Sequence, residues 1–173
     1  MFHPGTQTLI DAWALLPDAR RIPSRASVDP AAFGLLLPQV FLAERRGEGV
    51  SLRLTGGWIE AFHGRPQKGR AWLSQWRRES LPLVASAIGQ AFREARPVVV
   101  IADAVGEPLE IAFAPLRGPE GAPDRLIGLY QPTTPQGRRL EGVSVLTARL
   151  SVGVGESRRA PLSLAALDGR RIA

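Results

Sequence analysis

The run from Asp29 to Arg45 sets a capped, proline-terminated helix directly against an apolar strand, and this junction limits the fold more than any other stretch of the chain. Asp29 is an N-cap residue with Pro30 at the first helical position, where the missing N–H is one the helix would not have used. Pro38 closes the helix after about two turns, since its ring cannot continue the hydrogen-bond ladder. Gln39 to Arg45 then reads as a strand, Arg46-Gly47-Glu48-Gly49 as a turn, and Val50 to Thr55 as a second strand. Strict alternation puts Val50, Leu52 and Leu54 on one face of that strand and Ser51, Arg53 and Thr55 on the other. A short helix therefore feeds a β-hairpin with no linker between them.

Upstream, Thr6 is a candidate N-cap, and Leu9, Ile10, Trp13 and Leu16 recur at helical spacing until Pro17, which predicts an amphipathic helix over residues 6–17. Downstream, Gly56-Gly57 breaks the hairpin. Trp58, Ile59 and Phe62 then share one side of a short helix that Gly64 ends. Trp72 and Trp76 stand one helical turn apart, and Leu81, Val84, Ile88, Ala91, Phe92 and Ala95 continue the period to Pro97, predicting the longest helix of the chain with Pro82 in its first turn. Beyond Pro97 the period changes. Val98 to Ile101, Leu109 to Pro115 and Leu126 to Tyr130 are apolar runs separated by the turn-rich segments 105–108 and 117–124, which predicts an antiparallel meander of three strands.

Composition narrows the function. A chain of 173 residues with 45% hydrophobic content can build one ordinary core. The absence of cysteine excludes disulfides, thiolate metal sites, a cysteine nucleophile and the photoreactive cysteine of light-sensing flavin domains. Met1-Phe2-His3-Pro4-Gly5 has neither the basic start nor the apolar run of a signal peptide, and no stretch approaches the ~20 apolar residues of a membrane span, so a cytoplasmic protein without membrane insertion is expected. The net charge is +6. Its carriers are nearly all arginine, with Lys68 the single lysine, and they fall in pairs along the length (20–21, 45–46, 77–78, 138–139, 158–159, 170–171). Dispersed pairs without a helix-turn-helix, zinc-finger or base-stacking signature read as solvated surface, so nucleic acid is not the expected partner.

The segment Ser24 to Glu44, together with Leu52-Arg53-Leu54-Thr55-Gly56, Ile59-Glu60-Ala61-Phe62-His63-Gly64-Arg65 and the stretch from His3-Pro4-Gly5 to Trp13, resembles the PAS-like family PAS_5, found mostly as small stand-alone bacterial proteins. The resemblance covers residues 3–132. It implies an α+β fold: a five-stranded antiparallel sheet split two and three around a helical insertion, with helices on one face enclosing a small cavity, plus the N-terminal amphipathic helix. One PAS-like domain over residues 1–152 is expected, with its core at 27–132, a closing segment at 143–152 and a tail at 153–173. The chain has Gly57 where the family usually carries threonine, which removes a hydroxyl that would face the expected cavity or cap the following helix.

Catalytic signatures are missing. The sequence holds no Gly-x-Ser-x-Gly elbow, phosphate-binding Gly-x-x-x-x-Gly-Lys loop or Gly-x-Gly-x-x-Gly turn, and Asp103, Glu107 and Glu110 read as carboxylates solvating a turn. His3 and His63, the two histidines, share no metal-ligand spacing, and no metal site is expected. Some PAS domains hold haem through one histidine; His63 reads instead as a surface or hydrogen-bonded histidine, and no cofactor is expected. Arg21 and Arg25 have the spacing by which cyclic-dinucleotide binders grip phosphates, but lack the companion strand motif. Trp58, Phe62, His63, Phe92, Phe113 and Tyr130 are the candidates for a ligand pocket. Leu9, Trp13 and Leu16 are the candidates for a dimer or partner surface. The expectation is a non-catalytic sensory or adaptor domain, not an enzyme, acting through a small ligand, a protein partner or a homodimer. The competing expectation is a binder of nucleic acid or anionic nucleotides through the dispersed arginines.

Overall fold

A computed structural model describes residues 1–18, 21–47 and 49–156. Six strands form one antiparallel sheet in the order β2-β1-β5-β4-β3-β6: β1 (Val40–Arg46), β2 (Gly49–Thr55), β3 (Val98–Ala104), β4 (Glu107–Leu116), β5 (Arg125–Pro132) and β6 (Thr147–Gly153). Five strands were expected. The closing segment supplies the sixth, pairing with β3 from Val98↔Gly153 to Asp103↔Thr147. The hairpin and the meander fall where their turns place them, and β1 joins the two halves by pairing with both β2 and β5.

Helical elements cover both faces of the sheet, not one. On the inner face lie α2 (Gly57–His63), a 3-10 turn at Trp72–Gln75 and α3 (Leu81–Glu94), packed on Phe41, Ala43, Leu52, Val100, Ile111, Phe113 and Tyr130. On the outer face lie α1 (Pro4–Ala14) and the segment Pro30–Gln39, packed on Val99, Ala112, Ala114, Leu116, Ile127 and Leu129. The alternate residues of β4 and β5 are therefore buried on both sides, which is why those strands read as unbroken apolar runs. Ala112 and Ala114, having only a methyl group each, leave α1 room to lie on the sheet.

Four local readings change. His3, not Thr6, caps α1: its Nδ1 accepts from the Gly5 N–H at 3.1 Å. Thr6 is buried inside the first turn, and the helix stops at Ala14. Asp29 does cap the next segment, accepting from the Ala31 N–H at 2.9 Å, but that segment is 3-10 and kinks at Gly34, whose φ of 48° suits a residue without a Cβ. Trp72 and Trp76 do not share an α-helix with Leu81; the 3-10 turn ends at Gln75 and α3 starts with Pro82 in its first turn. A β-bulge changes the hairpin: Leu42 pairs with Leu54 but Ala43 with Leu52, so Arg53 is the extra residue. Val50 and Leu52 keep to the inner face, and Leu54 turns outward, 52% exposed.

Residues 142–146 run from α2 to the start of β6. The N–H groups of Gly142 and Val143 donate to the last carbonyls of α2, Ala61 and Phe62, at 3.3 and 2.7 Å. These bonds satisfy part of a helix end that would otherwise be left open in the interior. Leu146 then donates to Gln75 O at 2.8 Å and accepts from Arg77 N–H at 2.8 Å. The expected tail begins at Gly153; residues 157–173 of it lie outside the described residues.

Candidate functional site

The inner face of the sheet meets the helical insertion in a cluster of rings. β5 contributes Tyr130, β4 Phe113, β1 Phe41, α2 Phe62 and His63, and the 3-10 turn Trp72. Centroid separations run from 4.9 Å for Phe62–His63 to 5.9 Å for Phe62–Tyr130, mostly edge to face, the arrangement in which ring quadrupoles attract. The cluster fits because Gly128 opposes Phe41 across the β1–β5 pair; a Cβ at Gly128 would stand 2.2 Å from the Phe41 ring.

A string of polar groups threads the rings. Trp72 Nε1–H donates to Tyr130 OH at 2.8 Å, Tyr130 O–H donates to Gln75 Oε1 at 2.9 Å, and Gln75 Nε2 donates to Gln67 Oε1 at 2.5 Å. Gln67 passes the string to the carbonyl of Arg65 at 2.8 Å. Burial pushes the Tyr130 phenol well above its usual range, opposed by the Trp72 hydrogen bond, so it stays protonated and donates. His63 lies 2.9 Å from Val143 O through Nδ1. A carbonyl only accepts, so Nδ1 carries the proton and Nε2 is a bare acceptor, buried without a partner. Desolvation holds the imidazole below its ordinary pKa, with Arg65 and Arg70 acting in the same direction and the Val143 bond opposing.

Of the expected pocket residues, Phe62, His63 and Tyr130 touch one another, Trp58 stacks on Phe62 at 5.0 Å, and Phe113 joins through Trp72 at 5.3 Å. Phe92 stands apart, its ring covered by the Arg45 guanidinium at 5.0 Å. Trp58 is only half-buried and donates to Arg138 O at 3.0 Å. These rings pack on one another along the inner face of the sheet. Phe41, Gln67 and Gln75 belong to the same site and were not anticipated: Phe41 had an alternation signal, while two glutamines in an irregular segment carry none.

Leu9, Trp13 and Leu16 do not form a free surface. Leu9 and Trp13 are buried against the outer face, Trp13 Nε1–H donating to Pro115 O at 2.8 Å, and Leu16 packs partly on the same layer. The helix faced its own sheet because the apolar outer positions of β4 and β5 needed cover. The described arginine pairs, 45–46, 77–78 and 138–139, lie on separate elements, and Arg20 and the last two pairs fall outside the described residues. No group of three or more His, Cys, Asp or Glu side chains that could hold a metal occurs among the described residues. No helix among them is long and apolar enough to cross a membrane.

The strand order β2-β1-β5-β4-β3, with the short helical insertion between β2 and β3 packed on the inner face, defines a PAS-type domain, a fold of signalling sensors. The family profile PAS_5, described as a PAS domain, matches residues 1–131, and the chain belongs to that family. β6 lies beyond the matched residues. A search of curated proteins finds no match to the chain. Among solved structures the chain is similar to a light-oxygen-voltage domain studied with a flavin analogue, at 12% identity and a TM-score of 0.47 over 64% of this chain and 90% of that one. It is similar to the light-state domain of the blue-light photoreceptor Aureochrome1, at 10% identity and 0.43 over 59% and 86%. An RNA-binding light-oxygen-voltage receptor matches at 18% identity and 0.46 over 72% of this chain; the match spans 39% of that receptor.

Proposed function

We propose that the protein is a non-catalytic sensory or adaptor domain that transmits its signal by contact with a protein partner or a second copy of itself, with no resident cofactor. The observation that carries this reading is the tie between the ring cluster and the last strand. His63 holds Val143, and the segment from Val143 to Leu146 leads directly into β6. A change of packing around His63 or Tyr130 therefore moves the strand that closes one edge of the sheet. On the outer face of that strand Leu150 and Val152 are 47% and 40% exposed, next to Ile101 and Val99 across the β3–β6 pair. This corner, not the face of α1, is the association surface in this reading.

A haem on His63 is not part of the proposal. Phe62 and Tyr130 stand at 4.9 and 5.8 Å from the imidazole centroid, and a macrocycle on Nε2 would have to displace them. Native mass spectrometry of the protein taken from its own host tests the reading, with Leu150→Asp/Val152→Asp as the comparison. The expected result is a protein-sized added mass on the wild type that the double variant loses while melting at the same temperature. A stoichiometric small molecule with no added protein mass, or equal masses for the two proteins, would refute it.

A further inference from the structure

α1 and the segment Pro30–Gln39 cover the β4–β5 part of the outer face but leave its β1–β2 end open. There a groove of about 430 Å³ lies between Ser24–Ala26 on one side and Arg53–Leu54 with Lys68 on the other. Its volume is in the range of small-molecule sites. The floor is apolar, from Leu42 and the Leu54 that the bulge turns outward, and the cations are Arg25, Arg53, Lys68 and Arg125.

Both walls are fixed by backbone pairing. Arg25 N–H donates to Arg117 O at 2.9 Å and Arg117 N–H to Pro23 O at 2.8 Å, while Arg117 Nε holds Ile22 O at 2.8 Å. Opposite, Gly69 N–H donates to Leu52 O at 2.7 Å and Leu52 N–H to Arg70 O at 2.9 Å, which pins the turn carrying Lys68. Among the described residues no acidic side chain lines the groove. The carboxylates that reach its cations are Glu44, 3.5 Å from both Arg53 and Arg125 and 3.2 Å from Arg46 outside the groove, and Asp124, 2.7 Å from Arg125. Arg25 and Lys68 have no ion pair among the described residues. Four cations against two carboxylates leave two positive charges beside an apolar floor.

We infer that this groove binds a phosphomonoester carried on an apolar or planar body. A phosphomonoester bears nearly two negative charges at neutral pH and presents three acceptor oxygens. Arg53 and Arg25 can meet those oxygens with forked donors and Lys68 with a compact charge, while the body of the ligand covers Leu42 and Leu54. The site is separated from the ring cluster by the thickness of the sheet and does not depend on the identity of any protein partner. A nucleoside monophosphate and an alkyl phosphate are the two sources of such a ligand.

Isothermal titration of the full chain with adenosine monophosphate, octyl phosphate, inorganic phosphate and adenosine, at low and at moderate salt, tests the inference. Saturable binding of the nucleotide or of octyl phosphate is expected, at least tenfold tighter than inorganic phosphate and weakening as salt rises. Whichever of the two binds identifies the source of the ligand. R25A/K68A, whose side chains are exposed and have no ion pair among the described residues, should melt like the wild type and bind at least tenfold more weakly; L54D should lose the preference over inorganic phosphate. The inference is overturned if neither organic phosphate binds more tightly than inorganic phosphate, or if R25A/K68A binds as the wild type does.

Discussion

Replacing Trp13 separates two meanings of the same residue. As a docking residue it would change the association of the protein and leave the fold alone; as the structure has it, Trp13 is 2% exposed and pins α1 to β4. Trp13→Ala removes a buried indole from a layer whose other side is β-sheet, and truncations of this kind cost about 3–5 kcal/mol. It also leaves the buried Pro115 carbonyl without the donor now at 2.8 Å, for which about 1–3 kcal/mol is usual. The two terms overlap, because the layer relaxes into the space, so the expected loss is about 4–6 kcal/mol. For a protein of this size that is a fall in Tm of about 10–20 °C. Trp13→Phe keeps most of the apolar contact and loses the N–H, so about 1–3 kcal/mol is expected. Urea unfolding followed by far-ultraviolet circular dichroism reads both variants, with light scattering alongside. If Trp13→Ala unfolds within about 1 kcal/mol of the wild type while its mass in solution changes, the packing argument is wrong and the docking reading returns.

Two further outcomes follow from the ring cluster. Tyr130→Phe keeps the ring but strands Trp72 Nε1–H and Gln75 Oε1, so a loss of about 2–4 kcal/mol is expected in chemical denaturation, and a difference below about 0.5 kcal/mol would show that the string is not holding the core. For His63 the folded pKa lies below the unfolded value of about 6.5, so stability is unaffected above that pH; as pH falls through it the unfolded chain takes a proton the folded one refuses, and stability drops by up to about 1.4 kcal/mol per pH unit until the folded pKa is reached. Urea midpoints at pH 7.5 and 5.5 should therefore separate for the wild type more than for His63→Gln, and parallel losses in the two proteins would contradict the assignment of the effect to this residue.

Much of the architecture was legible because it rests on short-range signals. Pro38, Gly47, Gly64 and Pro97 mark ends that backbone sterics impose whatever the tertiary context, and the helix, hairpin, helix, meander order follows from them. What escaped depended on contacts distant in sequence. The face of α1 looks the same whether it meets a partner or its own sheet, and only the unbroken apolar runs of β4 and β5 hinted that the outer side also needed cover. The bulge at Leu42 left no mark in the alternation of Val50, Leu52 and Leu54, so Leu54 was assigned to the wrong face. Trp72 and Trp76 kept helical spacing while a 3-10 turn, bonded by Trp72 Nε1 to Tyr130, took both of them into the core. At the site, aromatic residues were visible as a class; the glutamines that order them were not, because a hydrogen-bond string assembled from three elements has no local pattern.

The bulge also links the two sites. With strict alternation Leu54 would lie inside, beside the rings, and the β1–β2 end of the outer face would lack the apolar floor that makes its cations more than a solvated patch. One extra residue, Arg53, moves Leu54 out beside the guanidinium that Arg53 itself carries, while Val50 and Leu52 still close the interior. The sheet thus presents an inner face packed with rings and tied to the segment before β6 through His63 and Val143, and an open outer corner formed by the same hairpin. β1 is the shared element: Phe41 points to the rings and Leu42 to the groove. A ligand that tightens the outer corner would act on the interior through one strand, so occupancy of the groove should slow hydrogen exchange at His63, Tyr130 and Val143, none of which lines the groove, as well as at the groove itself. Protection confined to the groove walls would mean that the two faces are energetically independent.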